Sequence, residues 1–261
     1  MQRVMYQNRQ PFLPLPPFKE VEEEVVVSMT SYGERISHII PTLDTLVNQT
    51  RKPDKIVLYI AHEDMPLITD DIKGLCEVRE CEDTKSHKKF NGFWDFPDAF
   101  VATADDDLLY KPDWLEVLLR ASQIDRRCVT AHNTFLMERN GWGRPASRKD
   151  NSASLQGRLN MYLMTGAGTL RPPHIDLSLL KYAYQFSPHC DEKPMSALLQ
   201  LLHIPVLATR LNEPPYNTEA YKLGTGGLWE NYNQKGQPDR WKECWAYIDF
   251  IKKEHTPVAV V

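Results

Sequence analysis

Three short apolar runs dictate most of what this chain can become: VVVSMT at Val25–Thr30, KIVLYIA at Lys55–Ala61 and FVATA at Phe100–Ala104. Each is too short for a helix, rich in β-branched or small residues and almost without polar alternation. That pattern belongs to strands covered on both faces. Helical spacing lies between them. Ile36, Ile39, Ile40, Leu43, Leu46 and Val47 share one helical face, with Pro41 required to start the helix or kink it. CEVREC (Cys76 to Cys81) reads as a further strand, and Pro112 opens a helix carrying Trp114, Leu115, Leu118 and Leu119. CVTAHNT, a helix around Met195 to Leu202, and PVLAT continue the alternation. A last helix near Asp239 to Lys253 places Trp241, Trp245 and Ile248 on one side. Strands alternating with helices predict an α/β fold with a mostly parallel sheet flanked by helices.

Ligands of such sheets sit beyond the carboxyl ends of the strands. Here two of those ends are conspicuously polar: TSYGER after the first run and DDDLLY after FVATA. Length and composition narrow the rest. At 261 residues, 42% apolar and 25% charged, the chain can form its own core, which excludes disordered, collagenous and disulfide-stapled classes. A formal net charge of -4 disfavours nucleic acid as a partner. The five cysteines are odd in number, dispersed and without a C-x-x-C, so they read as reduced thiols of a cytoplasmic protein. No apolar run approaches the ~20 residues of a membrane span, and the N-terminus lacks the apolar stretch of a signal peptide. Residues 1–24, with Pro11, Pro14, Pro16 and Pro17, read as an extended lead-in, and 25–261 as a single domain.

Asp105, Asp106 and Asp107 repel one another unless a cation joins them. Mg²⁺ commonly takes one or two protein carboxylates together with phosphate oxygens. The plainer alternative is a solvated acidic turn before a helix. Tyr110 stands where an EF-hand needs glycine, and Leu109 where a phosphatase D-x-D wants threonine or valine. No phosphate-cradling glycine loop occurs, which removes P-loop and dinucleotide readings.

VVVSMTSYGERI, TLVNQTRKPDKIVLYI, EDTKSHKKF, ATADDDLLYKPDWLEVLL, MTGAGTLRPPHI and SPHCDEKPMSALL, in that order, resemble bacterial glycosyltransferases of the GT-A fold. The chain differs from that pattern in carrying Asp191–Glu192 where two aspartates are usual and Thr169 in place of a third glycine. The resemblance implies a nucleotide-binding half over 25–135, with 136–261 forming a smaller acceptor-side half and the C-terminal helix. It also implies a metal-dependent, inverting transfer from a nucleotide-diphosphate sugar, uridine-linked in the first instance, to a glycan or lipid-linked acceptor. Thr30, Ser31, Tyr32, Arg35, Asp83, Lys88, Lys89, Asp105, Asp106, Gly166 and Gly168 would bind the donor. Asp105 and Asp107 would hold Mn²⁺ or Mg²⁺. Asp191, with Glu192 second, would be the general base. The acceptor implies work in the cytoplasm or at the inner face of the membrane, with peripheral association allowed.

Plain structural roles stay open beside these. Arg35 reads equally as a solvated helix-start residue, Lys85, His87, Lys88 and Lys89 as an exposed basic turn, and Asp191 as a helix-start carboxylate ahead of Pro194. Gly166 and Gly168 could form only a tight turn. His132, His174, His189 and His255 are undifferentiated candidates for a further ligand, and Trp142 and Trp229 for sugar stacking. A non-catalytic sugar- or nucleotide-binding scaffold is the competing functional class. A nucleotidyltransferase ranks last, because TSYGER holds one glycine.

Overall fold

The computed structural model describes residues 14–138, 141–158, 160–209, 216–217 and 240–255. Pro11 and Trp229 lie outside them, and nothing is described of the Trp142 and Trp241 side chains. The lead-in from residue 14 adopts no regular element, but the Arg120 Nε–H donates to the Pro16 carbonyl at 2.7 Å and ties it to the domain.

The first half is built as β1 (Val25–Thr30), α1 (Ile40–Val47), β2 (Lys55–Ala61), α2 (Asp70–Leu75), β3 (Glu77–Cys81), α3 (Asn91–Asp95), β4 (Phe100–Ala104), β5 (Leu108–Leu109), α4 (Trp114–Ser122) and β6 (Val129–Ala131). There follow β7 (Thr134–Glu138), β8 (Gly141–Pro145), α5 (Asn151–Leu155), β9 (Met161–Leu163), β10 (Thr169–Arg171), α6 (Ala183–Phe186), α7 (Glu192–Leu201), β11 (Val206–Ala208), β12 (Tyr216–Asn217) and α8 (Arg240–Glu254). Pro41 sits in the first turn of α1, where its missing N–H costs nothing, and so starts that helix. The residues before it form a separate 3-10 helix, Gly33–His38.

Seven strands form the central sheet in the order β11-β6-β10-β4-β1-β2-β3. β10 runs antiparallel to both its neighbours, and every other pairing is parallel. β10 and β11 belong to the second half of the chain, so both halves complete one sheet. Successive residues of β1 enter opposite cores, as a period of two requires. Val26, Val57 and Val101 pack beneath α3, α7 and α8, whereas Val25, Val27, Leu58 and Ala102 pack against α1 and α4. Both faces are thus covered, which is why the runs read as continuous apolar stretches.

Two polar residues in QTRKPD anchor the frame. The Asp54 carboxylate accepts the first strand N–H, that of Val25, at 2.8 Å. Buried Gln49 donates to the Lys111 carbonyl at 2.9 Å and accepts from the Leu115 N–H at 3.0 Å, fastening α1 to the start of α4.

One expectation fails in α8. Its buried stripe is Cys244, Tyr247, Ile248 and Ile251, at helical spacing, which leaves Trp245 60% exposed instead of packed. Among the described residues no helix is long and apolar enough to cross a membrane.

Candidate active site

The chain lays β1, β2 and β3 outward to one side, then returns to place β4 on the other side of β1. The β1/β4 boundary is therefore the point where strand order reverses, and beyond their carboxyl ends a crevice opens in sheets of this kind. Ser31 follows β1 there and Asp105–Asp107 follow β4. β10, running the other way, brings in Gly166 and Gly168 just before its start.

Arg35 organises the β1 side. Its guanidinium pairs with Asp106 and reaches Asp107 Oδ2 at 2.8 Å. The Ser31 hydroxyl donates to Asp106 Oδ2 at 2.6 Å, and Thr42 donates to the Asp106 carbonyl at 2.9 Å. Asp106 is consequently buried and held on several sides. Tyr32 is exposed, with Arg35 5.5 Å from its ring centre. Thr30 faces the other way and donates to the Tyr59 carbonyl at 2.8 Å.

Lys88 and Lys89 do not form an exposed basic turn. Both are buried in a 3-10 helix, Lys85–Phe90. Lys88 pairs with Asp83 at 3.1 Å. Lys89 joins two carboxylates from opposite halves of the chain, Asp105 at 2.6 Å and Asp191 at 2.8 Å. The same turn makes two further bonds to the second half: Ser86 donates to Asp191 Oδ1 at 3.1 Å, and the His87 Nε2–H donates to the Ser187 carbonyl at 2.8 Å.

This wiring separates the two carboxylates at the start of α7. Burial opposes ionisation of Asp191, but the Lys89 ammonium and the Thr165 hydroxyl, 2.5 Å from Oδ2, outweigh it and hold the pKa near about 2. Asp191 is 4% exposed, with both oxygens hydrogen-bonded. Glu192 is half-buried, and burial together with the charge of Asp191 pushes it up to about 7. Its Oε2 accepts from the Cys190 thiol at 3.3 Å. A weakly solvated carboxylate near neutrality is the one equipped to take a proton.

Asp105, Asp106, Asp107, Asp191 and Glu192 feel one another's charge, and Lys89 and Arg35 pair directly with members of the cluster. Burial, then the charges of Asp105 and Asp106, lift Asp107 to about 6 in spite of Arg35. Such a surplus of negative charge accommodates a divalent cation. Among the described residues no three His, Cys, Asp or Glu side chains form a ready-made cage. Asp105 and Asp107 are carboxylate oxygen donors, of the kind that Mg²⁺ takes one or two at a time beside a ligand's oxygens.

Gly166 is required by contact. A Cβ there would lie 1.6 Å from Asp105 Oδ2. Gly168 has φ +118°, and its Cβ would meet Trp114 Nε1 at 2.3 Å. Of the histidines, His132 is bonded through Nε2 to the Trp114 carbonyl at 2.8 Å and through Nδ1 to the Thr209 hydroxyl at 2.6 Å. His255 stacks on Tyr182. Both are thus engaged in structural contacts. Asp83, half-buried on the far side of the same turn, also pairs with Lys85.

Two residues that the sequence does not single out complete the floor. Tyr110 is buried, accepts the Asp105 N–H at 2.7 Å and donates to the Gly166 carbonyl at 2.7 Å. Trp114 donates to the Ala167 carbonyl at 2.9 Å. Their one sequence signal is proximity to the aspartates, in DDDLLYKPDW. A scan against protein-family models finds no match, and a search of curated proteins finds none either.

Proposed function

We propose that this chain is a metal-dependent glycosyltransferase of GT-A type that moves a sugar from a nucleoside-diphosphate donor to a hydroxyl acceptor with inversion. One observation carries the reading: the acidic end of β4, at the reversal of strand order, is joined through Lys89 to the acidic start of α7. A donor-side carboxylate cluster and an acceptor-side base candidate thereby share one crevice.

In the transfer, the acceptor hydroxyl oxygen attacks the anomeric carbon. The bond from that carbon to the diphosphate oxygen breaks, and the hydroxyl proton passes to a carboxylate. Glu192 takes that proton. It is half-buried and lifted to about 7, whereas Asp191 is locked by Lys89, Thr165 and Ser86. Asp191 instead sets the charge beside Glu192 and keeps its affinity for a proton high. Asp107 and Asp105 would hold the divalent ion, which when bound supplies Lewis-acid stabilisation of the departing diphosphate. Arg35 fixes Asp106 and Asp107 toward the β1 loop, and Tyr32, exposed beside it, offers a face on which a nucleobase can stack. A glycan or lipid-linked acceptor, met in the cytoplasm or at the membrane's inner face, belongs to the same reading.

The test is a panel of nucleotide sugars with Mn²⁺ or Mg²⁺, followed for slow donor hydrolysis and for binding by calorimetry. Binding and turnover that vanish with Asp107→Asn support a transferase. Binding without any turnover, unaffected by Glu192→Gln, would instead favour a sugar-nucleotide-binding scaffold.

A further inference from the structure

Glu192 has one carboxylate oxygen held and the other open to a proton. The Cys190 thiol donates to Oε2 at 3.3 Å, whereas no donor among the described residues meets Oε1. Cys190 is 4% exposed, so water scarcely competes for that contact. The turn that carries the thiol is itself fixed. The Cys190 N–H donates to the Ser187 carbonyl at 3.3 Å, and the Ser187 hydroxyl donates back to the Cys190 carbonyl at 3.0 Å. The Ser187 carbonyl also accepts from buried His87 at 2.8 Å. On the other side Glu192 begins α7, and its carbonyl accepts from the Ser196 hydroxyl at 2.8 Å.

The sulfur keeps its proton. Burial and the charges of Glu192 and Asp191 raise the Cys190 thiol well above its ordinary value in spite of nearby Lys193. Cys190 is therefore a donor and not a rival base. A thiol donates weakly, and a carboxylate is its best acceptor because the acceptor is charged. The contact favours ionised Glu192, as does Lys89, against burial and the charges of Asp191 and Asp105. Buried Tyr162 of β9 stays protonated beside them and adds no charge.

We propose that Cys190 is a positioning residue for Glu192, its thiol pinning Oε2 so that Oε1 is the oxygen that receives the acceptor's proton. This rests on the transferase reading above. Cys190→Ala and Cys190→Val both delete the donor, one leaving the space and one filling it, while Cys190→Ser keeps a donor. The test is the pH profile of kcat with a nucleotide sugar that the wild type turns over. In either donor-free variant the rising limb should move up by about half a pH unit, because a weak hydrogen bond is worth less than one full unit. The plateau kcat should fall about three-fold as Glu192 regains rotamer freedom, with donor KM unchanged. In Cys190→Ser the limb should stay at or below its wild-type position, whereas lost packing alone would displace serine and alanine alike. An unmoved limb in the donor-free variants, or the same upward shift in Cys190→Ser, overturns the inference and leaves the transferase reading intact.

Carboxyl ¹³C resonances of the glutamate-labelled full chain, with Glu192 assigned through Glu192→Gln, report its ionisation without any turnover. If no donor is turned over, the transferase reading falls. A Glu192 midpoint raised in the donor-free variants but not in Cys190→Ser then sustains the thiol contact, and equal midpoints overturn it as well.

Discussion

Replacing Lys89 by methionine removes a buried ammonium whose two carboxylate partners, Asp105 and Asp191, stay where the fold puts them. At 2.6 and 2.8 Å each contact has a gross Coulomb energy of about 6 kcal/mol at an effective dielectric constant near 20. Desolvation of three charges offsets most of that, so the expected net loss is the about 3–5 kcal/mol typical of breaking a buried pair from one side. For a domain of this size that lowers Tm by roughly 6–20 °C. The dependence on pH is more diagnostic than the size. In the wild type the folded pKa of Asp191 is about 2, below the unfolded value. Its stabilisation is therefore present above the unfolded pKa and is lost as pH falls from about 4 toward 2. Burial already raises Asp105 in the wild type in spite of Lys89, and in Lys89→Met burial and mutual repulsion raise Asp191 above the unfolded value as well, so the folded state binds the extra proton and gains relative stability as pH falls. Thermal unfolding of both proteins from pH 8 to pH 5 should show the gap narrowing on acidification. A Tm within about 2 °C of wild type, or a gap that stays constant with pH, would refute an ionic Asp105–Lys89–Asp191 bridge.

Other outcomes follow from the same geometry. Glu192→Gln should lower turnover by about 10²–10⁴-fold, the range of a general base, with donor affinity retained. In the wild type, turnover should rise with pH through about 7 as Glu192 ionises. Asp191→Asn should move that limb to lower pH, because a like charge that raises Glu192 is gone, and an unmoved limb would separate the two groups. Gly166→Ala should drive the Asp105 carboxylate off its place, since contact at 1.6 Å must open to ordinary van der Waals distance. Donor binding should be lost while far-UV circular dichroism holds, and an unchanged donor Kd would count against Asp105 as a contact. Arg35→Met should strengthen metal affinity, because Asp106 and Asp107 lose the guanidinium that competes for their charge. Mn²⁺ titration by paramagnetic relaxation measures this directly, with unchanged affinity the contrary result.

The layer architecture was legible in the sequence because it depends on local periodicity. VVVSMT, KIVLYIA and FVATA could satisfy their side chains only as covered strands, and β1, β2 and β4 occupy those ranges. The position of Asp105–Asp107 at a strand's carboxyl end was legible for the same reason. The status of the charges was not. A lysine in KSHKKF looks alike whether it faces water or a buried carboxylate, and the burial of Lys88 and Lys89 follows from the docking of that turn against residues 187–191, a hundred positions away. Trp245 shows the same gap, since helical spacing put Trp241, Trp245 and Ile248 on one side, whereas contact with α7 selected the arc centred on Tyr247.

The amino-acid sequence alone determined β1–β4, β6 and β11, helices α1, α4, α7 and α8, and where acidic residues meet a strand end, because short-range sterics and apolar spacing act between near neighbours. It did not reveal β7–β10, whose residues carry no such period. Only the tertiary structure decided that Lys89 bridges the two halves, that Glu192 rather than Asp191 is raised toward neutrality, and that Tyr110 and Trp114 turn the 165–168 loop. Those outcomes depend on which charges and donors become adjacent after folding, and distance and burial, not order along the chain, set their energies.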